Sequence, residues 1–151
     1  MIILIGIYLD KKYKFKPDNF KPNLPKSIKL GDVAGISIDH QDNIYLFNRG
    51  NHPVIVLNQA GELLRTWGQG IFKNPHGSHI GFDNNIYLTD NGDHTVRKFT
   101  LDGKLLLQIG IPDSSSGFMS GKPFCKCTHS ALSPEGNIII SDGYGNASIH
   151  I

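Results

Sequence analysis

Along most of this chain, hydrophobic residues fall in runs of about five, alternating or β-branched, each closed by Asp, Asn or Gly. That pattern predicts short β-strands joined by turns. A first set covers residues 33–39, 43–47, 53–57 and 62–68. A second covers 76–81, 85–89, 95–99 and 104–110, and a third begins at 128–132, 137–141 and 147–151. No stretch keeps a helical period over a useful length.

The three sets superpose on Asn43, Asn85 and Asn137, spaced by roughly 42 and then 52 residues. Four strands repeated at that interval are the pattern of a β-propeller blade. The longer second interval places an inserted loop at 111–126, which carries Ser114-Ser-Ser-Gly117. Ala60-Gly61 and Asp102-Gly103 fall between the third and fourth strands, where a tight hairpin turn belongs. The expected fold is all-β: two complete four-stranded blades and part of a third, near 31–70, 76–110 and 128–151. Residues 1–30 form a lead-in. Blades bury their faces on one another, so the chain reads as the N-terminal part of a larger propeller, with a self-complementing oligomer as the alternative.

Composition changes this picture little. Hydrophobic residues make up 39% of the 151, enough for a packed core, and Gly 17 and Pro 8 suit many turns. The net charge is only +2 and the basic residues are dispersed, so no nucleic-acid partner is expected. The apolar opening, residues 1–9, is too short for a membrane span and lacks the features of a signal peptide. A cytoplasmic protein with no membrane partner is expected, its oligomeric state open. Cys125 and Cys127 are too close for an easy disulfide and read as reduced thiols at the start of a strand.

Chemistry is sought where the repeat breaks. After each second strand come Asn48-Arg49-Gly50-Asn51-His52, Asp90-Asn91-Gly92-Asp93-His94 and Asp142-Gly143-Tyr144-Gly145-Asn146. The Asx that opens each suits a turn. His52 and His94 share a column, which favours a structural role. Arg49 and Tyr144 have small or polar counterparts, so the scaffold does not demand them. They are expected on one rim, where a guanidinium lowers a phenol's pKa or clamps a carboxylate; the alternative is a surface Arg and a space-filling Tyr. Ala34, His76 and Thr128 open the innermost strands and are expected to face the central channel. There an imidazole can ligate a metal or simply be hydrogen-bonded structure.

Pro75-His-Gly-Ser-His-Ile-Gly81, Asn85-Ile-Tyr-Leu-Thr-Asp90, Ser141-Asp-Gly-Tyr-Gly-Asn146 and Phe47-Asn-Arg-Gly-Asn-His52 resemble the NHL-repeat propellers. More closely they resemble the peptidyl-α-hydroxyglycine α-amidating lyases and their bacterial relatives. The resemblance runs from about Gly31 to the end. It implies a six-bladed propeller that splits a small peptidyl-α-hydroxyglycine into a peptide amide and glyoxylate. It implies a catalytic zinc held by three histidines, the first matching His76, and a structural calcium. It places the catalytic tyrosine at Tyr144, the active-site arginine at Arg49, and two calcium-binding backbone carbonyls at Ile36 and Ser78. The remaining metal ligands would lie beyond Ile151. Where the animal enzymes pair a cysteine matching Cys125 with one just after the tyrosine, this chain has Gly145. Two other readings stand beside the lyase: a non-catalytic propeller that binds protein or another ligand on its rim, and a lactonase-like hydrolase, which would need acidic channel ligands.

Overall fold

The structure is a computed structural model that describes residues 20–151. The expected strand at 1–9 and most of the lead-in lie outside the described residues. Among the described residues, eleven strands form three sheets. The first holds β1 (Asp32–Ile38), β2 (Ile44–Arg49), β3 (Val54–Leu57) and β4 (Leu63–Trp67). The second holds β5 (Pro75–Ile80), β6 (Asn85–Asp90), β7 (Thr95–Thr100) and β8 (Leu105–Ile109). The third holds β9 (His129–Leu132), β10 (Ile138–Asp142) and β11 (Ser148–His150), with one turn of helix, α1 (Gly143–Asn146), before β11. Every pair is antiparallel between neighbours in sequence. The innermost strands β1, β5 and β9 lie side by side. The all-β reading and the partial propeller stand.

The third-to-fourth strand turns are three-residue hairpins with a bulge. The Asn58 N–H donates to the Glu62 carbonyl, the Glu62 N–H to Asn58 Oδ1, and Gly61 sits at φ +83°. Gly103 at φ +96° does the same in the second sheet, supplying the left-handed residue such loops need.

Apolar side chains of facing sheets form the core. Tyr45, Phe47, Val54, Val56 and Trp67 of the first sheet meet Ile86, Leu88 and Phe99 of the second, with Phe72 between them. Phe47 and Phe72 stand edge to face at 4.9 Å. Val96 meets Phe124, Cys127 and Ile140 across the next interface. The opposite face of the first sheet, Leu46, Ile55 and Leu57, is covered by Leu24 and Ile28 from the segment that precedes β1.

Two local devices shape the ends of the inner strands. The Asx at the end of each second strand is fully buried and pins the segment that enters its own blade. Asn48 accepts the Gly31 N–H at 2.8 Å, Asp90 those of Lys73 and Asn74 at 2.6 and 2.9 Å, and Asp142 that of Cys125 at 3.0 Å. The turn preference that explains Asx from sequence is thus only half of its role. The second device is a pair of β-bulges, between Val33 and Gly35 and between Pro75 and Gly77. Each bulge adds one residue, Ala34 or His76, and redirects its side chain. Gly77 follows because the neighbouring inner strand comes so close: a Cβ there would stand 2.5 Å from Thr128 O and 2.7 Å from His129 Cα.

Candidate functional site

His76 occupies the β5 bulge at the inner edge of the second sheet. Its Nδ1 lies 2.8 Å from the Thr128 carbonyl of the next blade. A carbonyl only accepts, so Nδ1 carries the proton and Nε2 presents its lone pair. That lone pair accepts the Tyr144 hydroxyl at 3.2 Å, and the rings meet edge to face at 5.4 Å. Residues 68 apart in sequence, each a break in the repeat, therefore touch. The repeat suggested a rim position for Tyr144 and a channel-facing one for His76; their pairing is visible only in the fold.

Arg49 ends β2, and its Nε donates to the Pro75 carbonyl at 2.9 Å. The arginine is thus tethered to the residue before His76. Its Nη1 lies 3.9 Å from Asp32 Oδ2, a solvent-exposed pair that contributes little. Arg49 makes no hydrogen bond to the Tyr144 hydroxyl, so the guanidinium–phenol contact that the sequence suggested is absent from this arrangement.

Tyr144 lies on α1, a helical turn where the sequence led us to expect an irregular loop, and is 64% exposed. The turn is held from beneath. The side chain of Asn146 accepts the Gly121 N–H and donates to Lys122 O and Asp142 Oδ2, all at 2.8 Å. Met119 N donates to Gly145 O, and Gly145 N to Cys125 O. Asp142 also receives His150 Nε2 at 3.2 Å. The inserted loop thus braces the tyrosine's turn. Nothing in the sequence pointed to Asn146, although the buried Asx that opens each rim loop was its nearest signal.

Both cysteines are free and buried. Burial pushes the Cys127 thiol up to about 12, so it is an inert core group. A Cβ added at Gly145 would run straight into Cys125, its Sγ and its carbonyl oxygen.

Ile36 and Ser78 stand at equivalent positions of β1 and β5, opposite Leu46 and Leu88. With Ala34, His76, Thr128 and His129 they line a cleft of about 370 Å3. The Ser78 hydroxyl shares a 2.5 Å hydrogen bond with Ser37, while Ile36 is 60% exposed. Burial, then the nearby His79 and His76, lowers the His129 pKa. As for a zinc site, the donor set fits at one position: His76, oriented by Thr128 O, has the carbonyl-anchored tautomer of a metal-ligating histidine. Among the described residues no group of three His, Cys, Asp or Glu could hold a metal ion. Of the repeated histidines, His52 bonds within its own blade, Nδ1 to Thr66 Oγ1 at 3.2 Å, while His94 Nδ1 accepts the Lys126 N–H from the segment entering the third blade at 3.0 Å.

No protein-family model matches the chain. It is 30% identical over 151 residues to peptidyl-alpha-hydroxyglycine alpha-amidating lyase 1 of Drosophila melanogaster, a match covering 82% of this chain and 27% of that protein. It is 29% identical over 153 residues to peptidyl-glycine alpha-amidating monooxygenase B of Xenopus laevis, covering 82% and 17%. The chain therefore spans only about a quarter, or less, of the length of these relatives. Among solved structures, virginiamycin B lyase from Staphylococcus aureus superposes with a TM-score of 0.57 at 15% identity, covering 78% of this chain and 39% of that one. A putative exported protein from Bacteroides fragilis gives 0.59 at 16%, covering 80% and 32%. At such identities these two establish the fold alone. By sequence and by fold, the chain is a β-propeller relative of the peptidyl-α-hydroxyglycine α-amidating lyases.

Proposed function

We propose that this chain carries part of the catalytic site of an amidating lyase, which cleaves a peptidyl-α-hydroxyglycine to a peptide amide and glyoxylate. The observation that supports it is the contact of Tyr144 with His76 Nε2 at 3.2 Å, with Nδ1 anchored on Thr128 O.

His76 would hold a zinc ion through Nε2, and the ion would supply acidification of the substrate hydroxyl. Ile36 and Ser78 would contribute backbone carbonyls to a calcium ion, an oxygen-seeking cation. The further ligands of both ions are not among the described residues. His76 Nε2 has one lone pair, so it would hold either the Tyr144 hydroxyl or a cation, not both. Exposed at the rim, Tyr144 as phenolate then accepts the proton of the substrate hydroxyl. As that oxygen forms the aldehyde C=O, the C–N bond breaks. The departing amide nitrogen recovers the proton from Tyr144, giving R–CO–NH2 and glyoxylate with no other reactant. Arg49, tethered at Pro75 O, sets a permanent positive charge beside the site, which favours the substrate carboxylate.

The test is glyoxylate release from an α-hydroxyglycine peptide by the full-length, zinc-loaded protein. Tyr144→Phe keeps the ring and removes the proton carrier, and kcat should fall by about 10²–10⁴, the usual worth of a general base. Undiminished turnover in Tyr144→Phe would remove the base role. Peptide binding without glyoxylate would leave the chain as a binding module.

A further inference from the structure

On the rim, a cleft of about 440 Å3 opens beside Tyr144, lined by Asn74, Asn91, Gly92, His94 and Lys126. Its walls come from two blades: the loop after β6 on one side, the start of the third blade on the other. The hydrogen bonds within the wall leave donors unspent. Asn74 Nδ2 donates to Asn91 Oδ1 at 2.5 Å, which leaves the Asn91 amide protons free of that pair. His94 Nδ1 accepts the Lys126 N–H at 3.0 Å, so a neutral His94 carries its proton on Nε2.

The neighbouring carboxylates are already engaged. Asp90 is taken by the N–H groups of Lys73, Asn74 and Gly92. Asp93 pairs with Arg97 at 2.6 Å in the interior, and Asp113 pairs with Lys73. Among the described residues no carboxylate pairs with Lys126. A cleft with amide, imidazole and ammonium donors and no free acceptor charge suits acyl oxygens and carboxylates.

We infer that this cleft is the subsite for the peptide chain preceding the reacting glycine, and that Lys126 selects an acidic side chain there. The inference rests on the lyase reading, because Tyr144 separates the cleft from His76 and joins the two. His94 and Asn91 bond the peptide carbonyls, and the Lys126 ammonium pairs with the substrate's carboxylate. No bond is made or broken in the cleft.

The experiment is a binding titration, independent of turnover. N-acetyl-glutamyl-glycine and N-acetyl-lysyl-glycine are titrated onto the full-length protein by calorimetry, with the wild type, Lys126→Glu, and Lys104→Glu on the distant β7–β8 turn. The glutamyl peptide should bind about fivefold more tightly than the lysyl one, the worth of an exposed ion pair. Lys126→Glu should invert that order, and Lys104→Glu should leave it unchanged. Equal affinities in the wild type, or the same preference in Lys126→Glu as in wild type, would overturn the subsite. The charge preference without any glyoxylate release would reject the lyase reading and leave the cleft as a binding site for acidic peptides.

Discussion

At the scale of single residues, the inner strands are governed by how closely their backbones approach. Gly77 lies where β5 meets β9, and a methyl there would strike the His129 ring at Nδ1, 2.6 Å away, and two backbone atoms, Thr128 O at 2.5 Å and His129 Cα at 2.7 Å. Backbone does not swing aside as a side-chain tip does. Gly77→Ala should therefore destabilise by about 3 kcal/mol or more, at the upper end of over-packing costs. It should also pull Thr128 O away from His76 Nδ1. Thermal denaturation checks the first effect and the His76 tautomer, read by nitrogen NMR, checks the second. An alanine variant as stable as wild type would mean that the blades separate without penalty. His76 itself was legible as an odd residue in its column, but its chemistry rests on two partners, Thr128 and Tyr144, that only the ring geometry delivers.

Among elements, the decisive one is the inserted loop before β9. Its sequence, rich in Ser and Gly, reads as a flexible excursion. In the fold it is stitched to α1 by Asn146, Met119 and Cys125. Gly145 sits so tightly on Cys125 that a Cβ there would stand 3.1 Å from the Cys125 Cβ. A disulfide needs roughly 3.5–4.5 Å between Cβ atoms, and a Cβ at 145 would also stand 2.7 Å from the Cys125 carbonyl oxygen, so α1 must draw back from the loop for the bond to close. Gly145→Cys should cross-link to Cys125 under oxidising conditions and raise Tm, by about 3 kcal/mol if loop closure dominates. When reduced, the same variant should be less stable than wild type, because the added thiol over-packs the site. Free-thiol titration beside thermal melts distinguishes the two states, and persistence of both thiols after oxidation would show that α1 is held farther from the loop. The hydrogen-bonded brace and a covalent one are alternative ways to hold the tyrosine's turn.

For the molecule as a whole, the opposite rim sets the response to acid. Asp83 accepts hydrogen bonds from the Tyr87 hydroxyl and Asn85 and pairs with Lys98 at 2.8 Å. Burial works to raise its pKa, but Lys98, Tyr87 and Asn85 outweigh it and hold the carboxyl at about 2, below the ordinary 3.8. A depressed carboxylate contributes stability that is fully present above the unfolded value and disappears as pH falls through the folded one. The protein should therefore lose stability between about pH 4 and 2. In Asp83→Asn that loss should be shallower and stability at neutral pH lower. Tm measured against pH in both proteins decides it, and parallel curves would exclude Asp83 as a source of the acid response.

The all-β character, the blade period, the turn positions and the identity of the unusual residues Arg49, His76 and Tyr144 were set by the sequence. They follow from local rules: alternation for strands, Asx and Gly for turns, and a repeat against which exceptions are visible. What only the tertiary structure decided is which exceptions meet. The β5 bulge turns His76 toward Tyr144, and the Pro75 carbonyl holds Arg49 nearby without joining it to the phenol. Such contacts span tens of residues and depend on the close approach of neighbouring blades, a distance that no local pattern encodes.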